Sequence, residues 1–276
     1  MSLKAKSASI LKRLSNISRQ KQVPFNMVAT SFLLERLVAR LTSDPVMKLN
    51  LVFKGGYVAL RYYDSGRYTI DLDALLYRAN LRESLDHARQ LAEQDIGDAT
   101  WFKYENEVNL ETQGEYGGIR LVFRCGIGEP LNDLRRAQVL HLDIGIGDPI
   151  IPSPINADLS QMLGGGDLSW QIYPIETMIA EKIHALIARG ENSSRSKDIY
   201  DLSIFLPKAN HEILHQALTA CFDFRGTSLP LDLKGHISKI DISLLKRGWP
   251  SAVSSISQVP DFEVAFQELL RGLPKP

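Results

Sequence analysis

One stretch restricts this chain more than any other: Phe53-Lys54-Gly55-Gly56 through Ile70-Asp71-Leu72-Asp73. The apolar run Leu49 to Phe53 predicts a strand that feeds a Lys-Gly-Gly turn. A short helical stretch, Val58 to Tyr63, follows, and Asp64-Ser65-Gly66 breaks it before a second apolar run. Residues i and i+2 of a strand point the same way, so Asp71 and Asp73 are expected side by side on one face. Two like charges so placed repel, and burial sharpens the conflict. A cation between them removes it, and hard carboxylate oxygens suit Mg²⁺, with Mn²⁺ as the alternative. Gly55 and Gly56 let backbone N–H groups come close to a phosphate, because no Cβ intervenes. A phosphate cradle beside a divalent-metal site is what nucleotidyl transfer requires.

A third carboxylate joins this pair. Ile119 to Arg124 and Val139 to Ile144 read as strands, and the second carries Asp143 between Leu142 and Ile144. Asp71 and Asp73 are expected to hold the metal ions that bridge a triphosphate. Asp143 is expected to ligate a second metal and help an incoming hydroxyl lose its proton. The plain alternative is a solvated strand face, which an Ile-Asp-Leu-Asp alternation resembles. Leu75 and Leu76 continue the run and favour burial instead. Lys54 at the strand end is either phosphate-proximal or simply exposed. Arg67, four residues before Asp71, either contacts the triphosphate or pairs with a site carboxylate and holds its geometry.

Composition narrows the class of partner. The chain has 276 residues with 32 basic and 32 acidic side chains, so no global field draws it toward nucleic acid or membrane. Any RNA contact has to come from a local basic patch. Residues 4–22 supply one: Lys4, Lys6, Lys12, Arg13, Arg19 and Lys21, on an amphipathic helix whose apolar side is Ile10, Leu11, Leu14 and Ile17. It reads either as a solvated helix face or as a basic arm for an RNA backbone. The two cysteines, Cys125 and Cys221, lack metal-type spacing and point to a reducing compartment. No apolar run reaches membrane-spanning length, and the first residues lack the apolar core of a signal peptide. The expectation is a soluble cytoplasmic protein.

The remaining pattern reads as α+β. Phe25 to Leu41 predicts a helix with Phe32, Leu33, Leu37, Val38 and Leu41 as its apolar stripe and Arg36 and Arg40 on the other side. Arg78 to Glu93 is helical in period, and Gly97 to Leu110 is irregular with at most a short strand. Glu115 to Gly118 signals a turn. Pro152 to Gly166 reads as a loop and sets the expected boundary: N-terminal helices plus a catalytic core over 1–160, a mainly helical domain over 161–276. Trp170 to Tyr173 is a short strand. Ile175 to Arg189 is a helix stopped by Gly190. Ser196 caps a helix over Lys197 to Leu206, and further helices cover Lys234 to Arg247 and Asp261 to Leu270.

Together, Lys54-Gly55-Gly56, Arg67 and Asp71-Leu72-Asp73 resemble the opening motif of the AbiEii/AbiGii-type nucleotidyltransferases, the toxins of abortive-infection and type IV toxin–antitoxin systems. Later segments match in the same order: His141 to Asp148, Ile175-Glu176 through Glu181 to Leu186, and Arg195 to Leu202. The resemblance runs from the N-terminal helices to Leu206. It implies a polymerase-β-like nucleotidyltransferase fold with a helical C-terminal part, and NTP and Mg²⁺ as ligands. It further implies nucleotide transfer onto RNA, including tRNA acceptor ends, and an antitoxin encoded by a neighbouring gene that need not touch the toxin. Lys182 matches the family's lysine and is expected to neutralise triphosphate charge; an ordinary surface lysine paired with a neighbouring acid is the alternative. Asp198 and Asp201 match the family motif as well, as a catalytic and a nucleotide-binding residue. Equally, they are acids favoured by a helix's first turn. One departure is Tyr57, a bulky phenol where the family commonly has Thr or Ser. It raises a second reading, an NTP-binding regulator with weak catalysis.

His211-Glu212-Ile213-Leu214-His215 also fits the His-Glu-x-x-His pattern of zinc peptidases. Leu218 and Cys221 stand where one such class has Gly and a third ligand. Two surface histidines are the favoured reading. His87, His141, His184 and His236 form no cluster in the sequence and read as structural or incidental.

Overall fold

The computed structural model describes residues 1–77, 79–110, 117–189, 195–256 and 258–274. Arg78, the first half of the expected turn at 115–118, and the helix stop at Gly190 lie outside them. The chain forms two compact units: Met1–Tyr62, Tyr68–Gly147 and Asn156–Ile172 make the first; Tyr63–Arg67, Asp148–Ile155 and Tyr173–Pro276 make the second.

The first unit is built on a seven-stranded mixed sheet. Helices α1 (Leu3–Lys21), α2 (Phe25–Leu41) and α3 (Pro45–Asn50) precede β1 (Leu51–Lys54), α4 (Gly55–Arg61), β2 (Asp71–Leu76) and α5 (Leu81–Glu93). Strands β3 (Thr100–Asn109), β4 (Gly118–Ile127), β5 (Gln138–Ile146), β6 (Ile155–Ser160) and β7 (Asp167–Ile172) complete it, in the spatial order β3-β4-β5-β2-β1-β7-β6. β2 runs antiparallel to β1 and parallel to β5, so the strands carrying the three aspartates are neighbours at the sheet centre. Leu72 and Ala74 of β2, with Leu140, Leu142 and Ile144 of β5, are fully buried on one face. The period of 2 thereby sends Asp71, Asp73, His141 and Asp143 to the other.

Several elements depart from their sequence signatures. Gly97 to Leu110 holds a ten-residue strand, β3, because a bulge between Tyr104 and Asn106 reverses the alternation midway and hides the period of 2. Pro152 to Gly166 is not wholly loop: β6 forms within it, burying Ala157 and Leu159 alternately. Helix α2 is central rather than one-sided. Arg40 is 1% exposed, with its fork on Asp98 at 2.9 and 3.1 Å and a further bond to the Thr100 carbonyl. Arg36 bonds Glu35 at 2.9 Å and Gln161 at 2.8 Å. Pairing with carboxylate and carbonyl acceptors is what makes burying these guanidinium groups tolerable.

The second unit is mainly helical: α6 (Ile175–Arg189), α7 (Ser196–Phe205), α8 (His211–Phe224), α9 (Leu233–Ile237), α10 (Ser243–Ala252) and α11 (Phe262–Gly272). Ser196 does not cap α7; its hydroxyl donates to the Leu245 carbonyl at 2.8 Å. The helix expected over Lys234 to Arg247 is two. Asp232 caps α9, and Asp241 accepts the Ser243 N–H at the start of α10, so each acid favours a fresh start over continuation. Cys125 and Cys221 are buried and join no disulfide; burial pushes the Cys125 thiol up to about 12.

Candidate active site

Register assembles a row of charge across the sheet centre. Asp73 of β2 stands directly opposite Lys54 of β1 on one side and Asp143 of β5 on the other. Asp143 in turn stands opposite Arg120 of β4. Directly paired residues share a face, so the row reads Arg120, Asp143, Asp73, Lys54: two carboxylates flanked by two cations. Two residues back along β2, on the same face, Asp71 pairs with His141. The His141 Nδ1 lies 2.8 Å from Asp71 Oδ1, so this histidine belongs to the site and is not incidental.

The glycine turn touches this row. Gly55 has φ +69°, and a Cβ built on it would fall 2.0 Å from Asp73 Oδ2. The Asp73 carboxylate occupies the space that the missing side chain leaves, which ties the Lys-Gly-Gly turn to the Asp-x-Asp strand. Asp71 keeps a third of its side chain exposed, whereas that of Asp143 is 12% exposed. Arg120 holds Asp143 in a two-pronged fork, Nε to Oδ1 and Nη2 to Oδ2, both at 2.7 Å. Among the described residues, no three Asp, Glu, His or Cys side chains are gathered tightly enough to hold a metal ion as they stand. The donor set nevertheless fits a hard divalent cation: three carboxylates on two adjacent strands, on one face. Each carboxylate oxygen has a lone pair beyond the one a hydrogen bond uses.

Tyr57 is not where the family resemblance suggested a phosphate-side hydroxyl. Its ring is fully buried and meets Trp170 edge-on at 6.1 Å. Its hydroxyl donates to the Ser31 carbonyl at 3.3 Å and accepts from Arg61 at 2.9 Å. Burial raises the phenol well above the usual range, against the pull of Arg61. The residue is part of the core, not of a phosphate grip.

The second unit carries the other sequence candidates as one chain of alternating charge. Arg67 forks onto Asp201 at 3.0 and 2.7 Å. Lys182 Nζ lies 2.7 Å from both Asp201 Oδ2 and Asp198 Oδ1, and Arg195 closes on Asp198 Oδ2 at 2.7 Å. Three cations thus share two carboxylates. Burial alone would raise the Asp201 carboxyl, but Lys182 and Arg67 overcome this and hold it well below the ordinary range. Burial alone would lower Lys182, and the two aspartates raise it instead. The Arg67 guanidinium therefore pairs with a carboxylate of the motif, and Lys182 is a buried bridge rather than an ordinary exposed lysine. On α8, His211 and His215 are exposed, with Asn210 capping the helix start.

The family model for the nucleotidyl transferase AbiEii toxin of type IV toxin–antitoxin systems matches residues 36–270. The chain belongs to this AbiEii family. No curated protein matches it significantly. Among solved structures, JHP933 from Helicobacter pylori is similar at 18% identity, covering 91% of each chain with a TM-score of 0.50. A second H. pylori structure, described as a putative nucleotidyltransferase, is similar at 18% identity over 91% of this chain and 94% of its own, with a TM-score of 0.51. An antigenic nucleotidyltransferase-like protein from Paracoccidioides brasiliensis is similar at 15% identity over 88% and 95%, with a TM-score of 0.40. The AbiEii match makes the chain a nucleotidyltransferase by family, and the two H. pylori structures share its fold. Arg120 and His141 are the site residues that the sequence did not single out. Each is one member of a cross-strand pair, and nothing in a linear sequence states which residues of two strands are opposite.

Proposed function

We propose that this protein is a metal-dependent nucleotidyltransferase that moves a nucleotide from an NTP onto an RNA acceptor, of which tRNA is the first choice. It would act as the toxin of a type IV pair whose antitoxin is encoded next door. The observation that carries the reading is the register of Asp71, Asp73 and Asp143 on one sheet face, with Asp73 lodged against the Gly55 turn. Among the described residues no helix is long and apolar enough to cross a membrane; a cytoplasmic site of action is part of the proposal.

Asp71 and Asp73 would hold the divalent ion, with Asp143 as a further ligand. When bound, such an ion neutralises triphosphate charge and fixes the phosphates in line. Gly55 and Gly56 give the triphosphate a close approach to backbone, and Lys54, opposite Asp73, supplies a cation at that end of the row. Asp143 accepts the proton of the acceptor hydroxyl, whose oxygen bonds to the α-phosphorus as the bond to pyrophosphate breaks. Arg120 keeps Asp143 oriented. In the second unit, Lys182 is proposed as a phosphate-facing cation, with Asp198 as its catalytic partner. Arg67 and Asp201 complete the nucleotide-binding set by fixing that lysine's position.

Incubating the protein with total tRNA, each labelled NTP in turn and Mg²⁺ or Mn²⁺ tests this. Label should enter RNA with at least one NTP, release pyrophosphate, and fail to enter with Asp71→Asn or Asp73→Asn. Binding of NTP with no transfer under any combination would sink the proposal in favour of a nucleotide-binding regulator.

A further inference from the structure

The family match begins at residue 36, so α1 lies outside it. Residues 1–34 contain six basic side chains and no acid; the rest of the chain has 26 basic against 32 acidic residues. An ordinary solvated helix mixes both signs and gains from i,i+4 pairs. α1 has no acid to make such a pair, and its first turn holds Lys4 and Lys6, where the helix dipole disfavours cations. Arg19 and Lys21, in the last turn, suit the dipole; the charge of Lys4, Lys6, Lys12 and Arg13 is not there for the helix's own stability.

The charges also divide by direction. Ile10 and Leu14 are buried against Val28, Ala29 and Phe32, with Ile17 packed alongside. Lys6 and Arg13 flank this stripe and donate to the main-chain carbonyls of Gly97 and Leu163. Lys4, Lys12 and Arg19 are exposed; at 100° per residue Lys12 and Arg19 stand opposite the buried stripe, and Lys4 stands about 110° round from it. They form a row that spans about 22 Å at 1.5 Å per residue. A basic amphipathic helix can also lie on a membrane, but that needs its apolar face. Here the core already takes Ile10, Leu14 and Ile17, and of the large apolar residues of α1 the exposed ones are Leu3 and Leu11, too few to anchor the helix in lipid.

We infer that the Lys4–Lys12–Arg19 row of α1 docks the phosphodiester backbone of a structured RNA. The inference rests on the RNA acceptor proposed above. It adds where that acceptor is gripped: by a segment beyond the family-matched region, through charge rather than base edges, and so without sequence readout.

The test is tRNA binding to the full chain without NTP or metal, over a salt series. The variant is Lys4→Gln/Lys12→Gln/Arg19→Gln, which keeps good helix formers at exposed positions. The control, Lys103→Gln/Lys234→Gln/Lys239→Gln, removes as many exposed charges elsewhere. Each phosphate that is no longer neutralised should lower the slope of log affinity against log salt by about 0.7–0.9. The α1 variant is expected to bind about tenfold or more weakly near 0.1 M salt, with a slope about two units shallower and an unchanged melting profile. The control should keep wild-type binding. Wild-type affinity and slope in the α1 variant, equal weakening in the control, or no tRNA binding by the wild type overturns the inference. Tighter binding to phosphatidylglycerol vesicles than to tRNA, abolished in the α1 variant, assigns the row to lipid and overturns it too. The transfer assay is read separately: weakened tRNA binding by the α1 variant with no transfer by the wild type leaves this inference standing and removes the proposed activity.

Discussion

Gly55 is the position at which a single atom decides the site. Its φ of +69° puts it in the left-handed region, and a Cβ would meet the Asp73 carboxylate at 2.0 Å. Gly55→Ala therefore carries two penalties: about 1–2 kcal/mol of backbone strain, and displacement of Asp73. A misplacement of about 1 Å can cost about a hundredfold in rate, so initial transfer rates should fall at least that far while the protein stays folded. Gly56→Ala is the internal comparison. There φ is ordinary, and the new Cβ meets the Thr69 side chain at 3.1 Å, tight but not impossible, so the loss should be smaller. Tyr57 gives the opposite lesson. Tyr57→Thr restores the residue type that the family commonly has, yet it should remove no obstacle and create a void beside Trp170. The expected outcome is a loss of about 3–5 kcal/mol in urea unfolding, with no gain in transfer rate. The spacing of Asp71 and Asp73 made their shared face legible, because strand geometry fixes i and i+2. The side chain of Tyr57 could not be placed in the same way, since which way a residue just past a turn points depends on what packs above it.

At the scale of elements, the ion chain between α6 and α7 dominates the second unit. Lys182 comes from α6, Asp198 and Asp201 from α7, and Arg67 from the segment Tyr63–Arg67 that joins the same unit. Removing one partner of a buried pair is worse than never having it, because the others keep their charge without water. Asp201→Asn leaves Arg67 and Lys182 short of a counter-charge and should destabilise the fold by about 3–5 kcal/mol near neutral pH. The pH dependence has a definite sign. The Asp201 carboxyl is held below its ordinary value, so its stabilisation is fully present above the unfolded value of about 3.9. It is lost as pH falls through the lower, folded value. Urea melts from pH 7 to 3 should show a constant gap between wild type and Asp201→Asn down to about pH 4, closing only below it. A gap that closed between pH 6 and 7 would point to another group. This ion chain was half legible. An acid at 198 and one at 201 lie a helical turn apart by arithmetic, but the lysine they enclose comes from another helix. The same limit explains β3, where a bulge broke the alternation, and α2, whose arginines read as lying off the apolar stripe because two of the acceptors that hold them in the core, Asp98 for Arg40 and Gln161 for Arg36, lie 58 and 125 residues away.

For the molecule as a whole, the fold was legible where period and turn chemistry agreed, and the charge distribution explains what stability remains to be gained at the site. Asp71, Asp73 and Asp143 crowd one sheet face, answered in register by Lys54 and Arg120 but with a surplus of negative charge across the set. Like charges so placed oppose folding until a cation joins them. A site kept in that condition is destabilising by construction, and neutral replacements should reveal it. In chelator, Asp71→Asn/Asp73→Asn is expected to melt at or above the wild-type temperature, although it removes the proposed chemistry. Addition of Mg²⁺ or Mn²⁺ should then raise the wild type alone. At a hundredfold excess over the dissociation constant, a ligand that binds only the folded state contributes about 2.7 kcal/mol. In a chain of this size that is a shift of roughly 5–10 °C when each kcal/mol moves the midpoint by about 2–4 °C. The double variant should show almost none of it. A variant that melts well below the wild type in chelator would mean that the two aspartates are held for structure, and equal metal-induced shifts in both proteins would place the ion elsewhere.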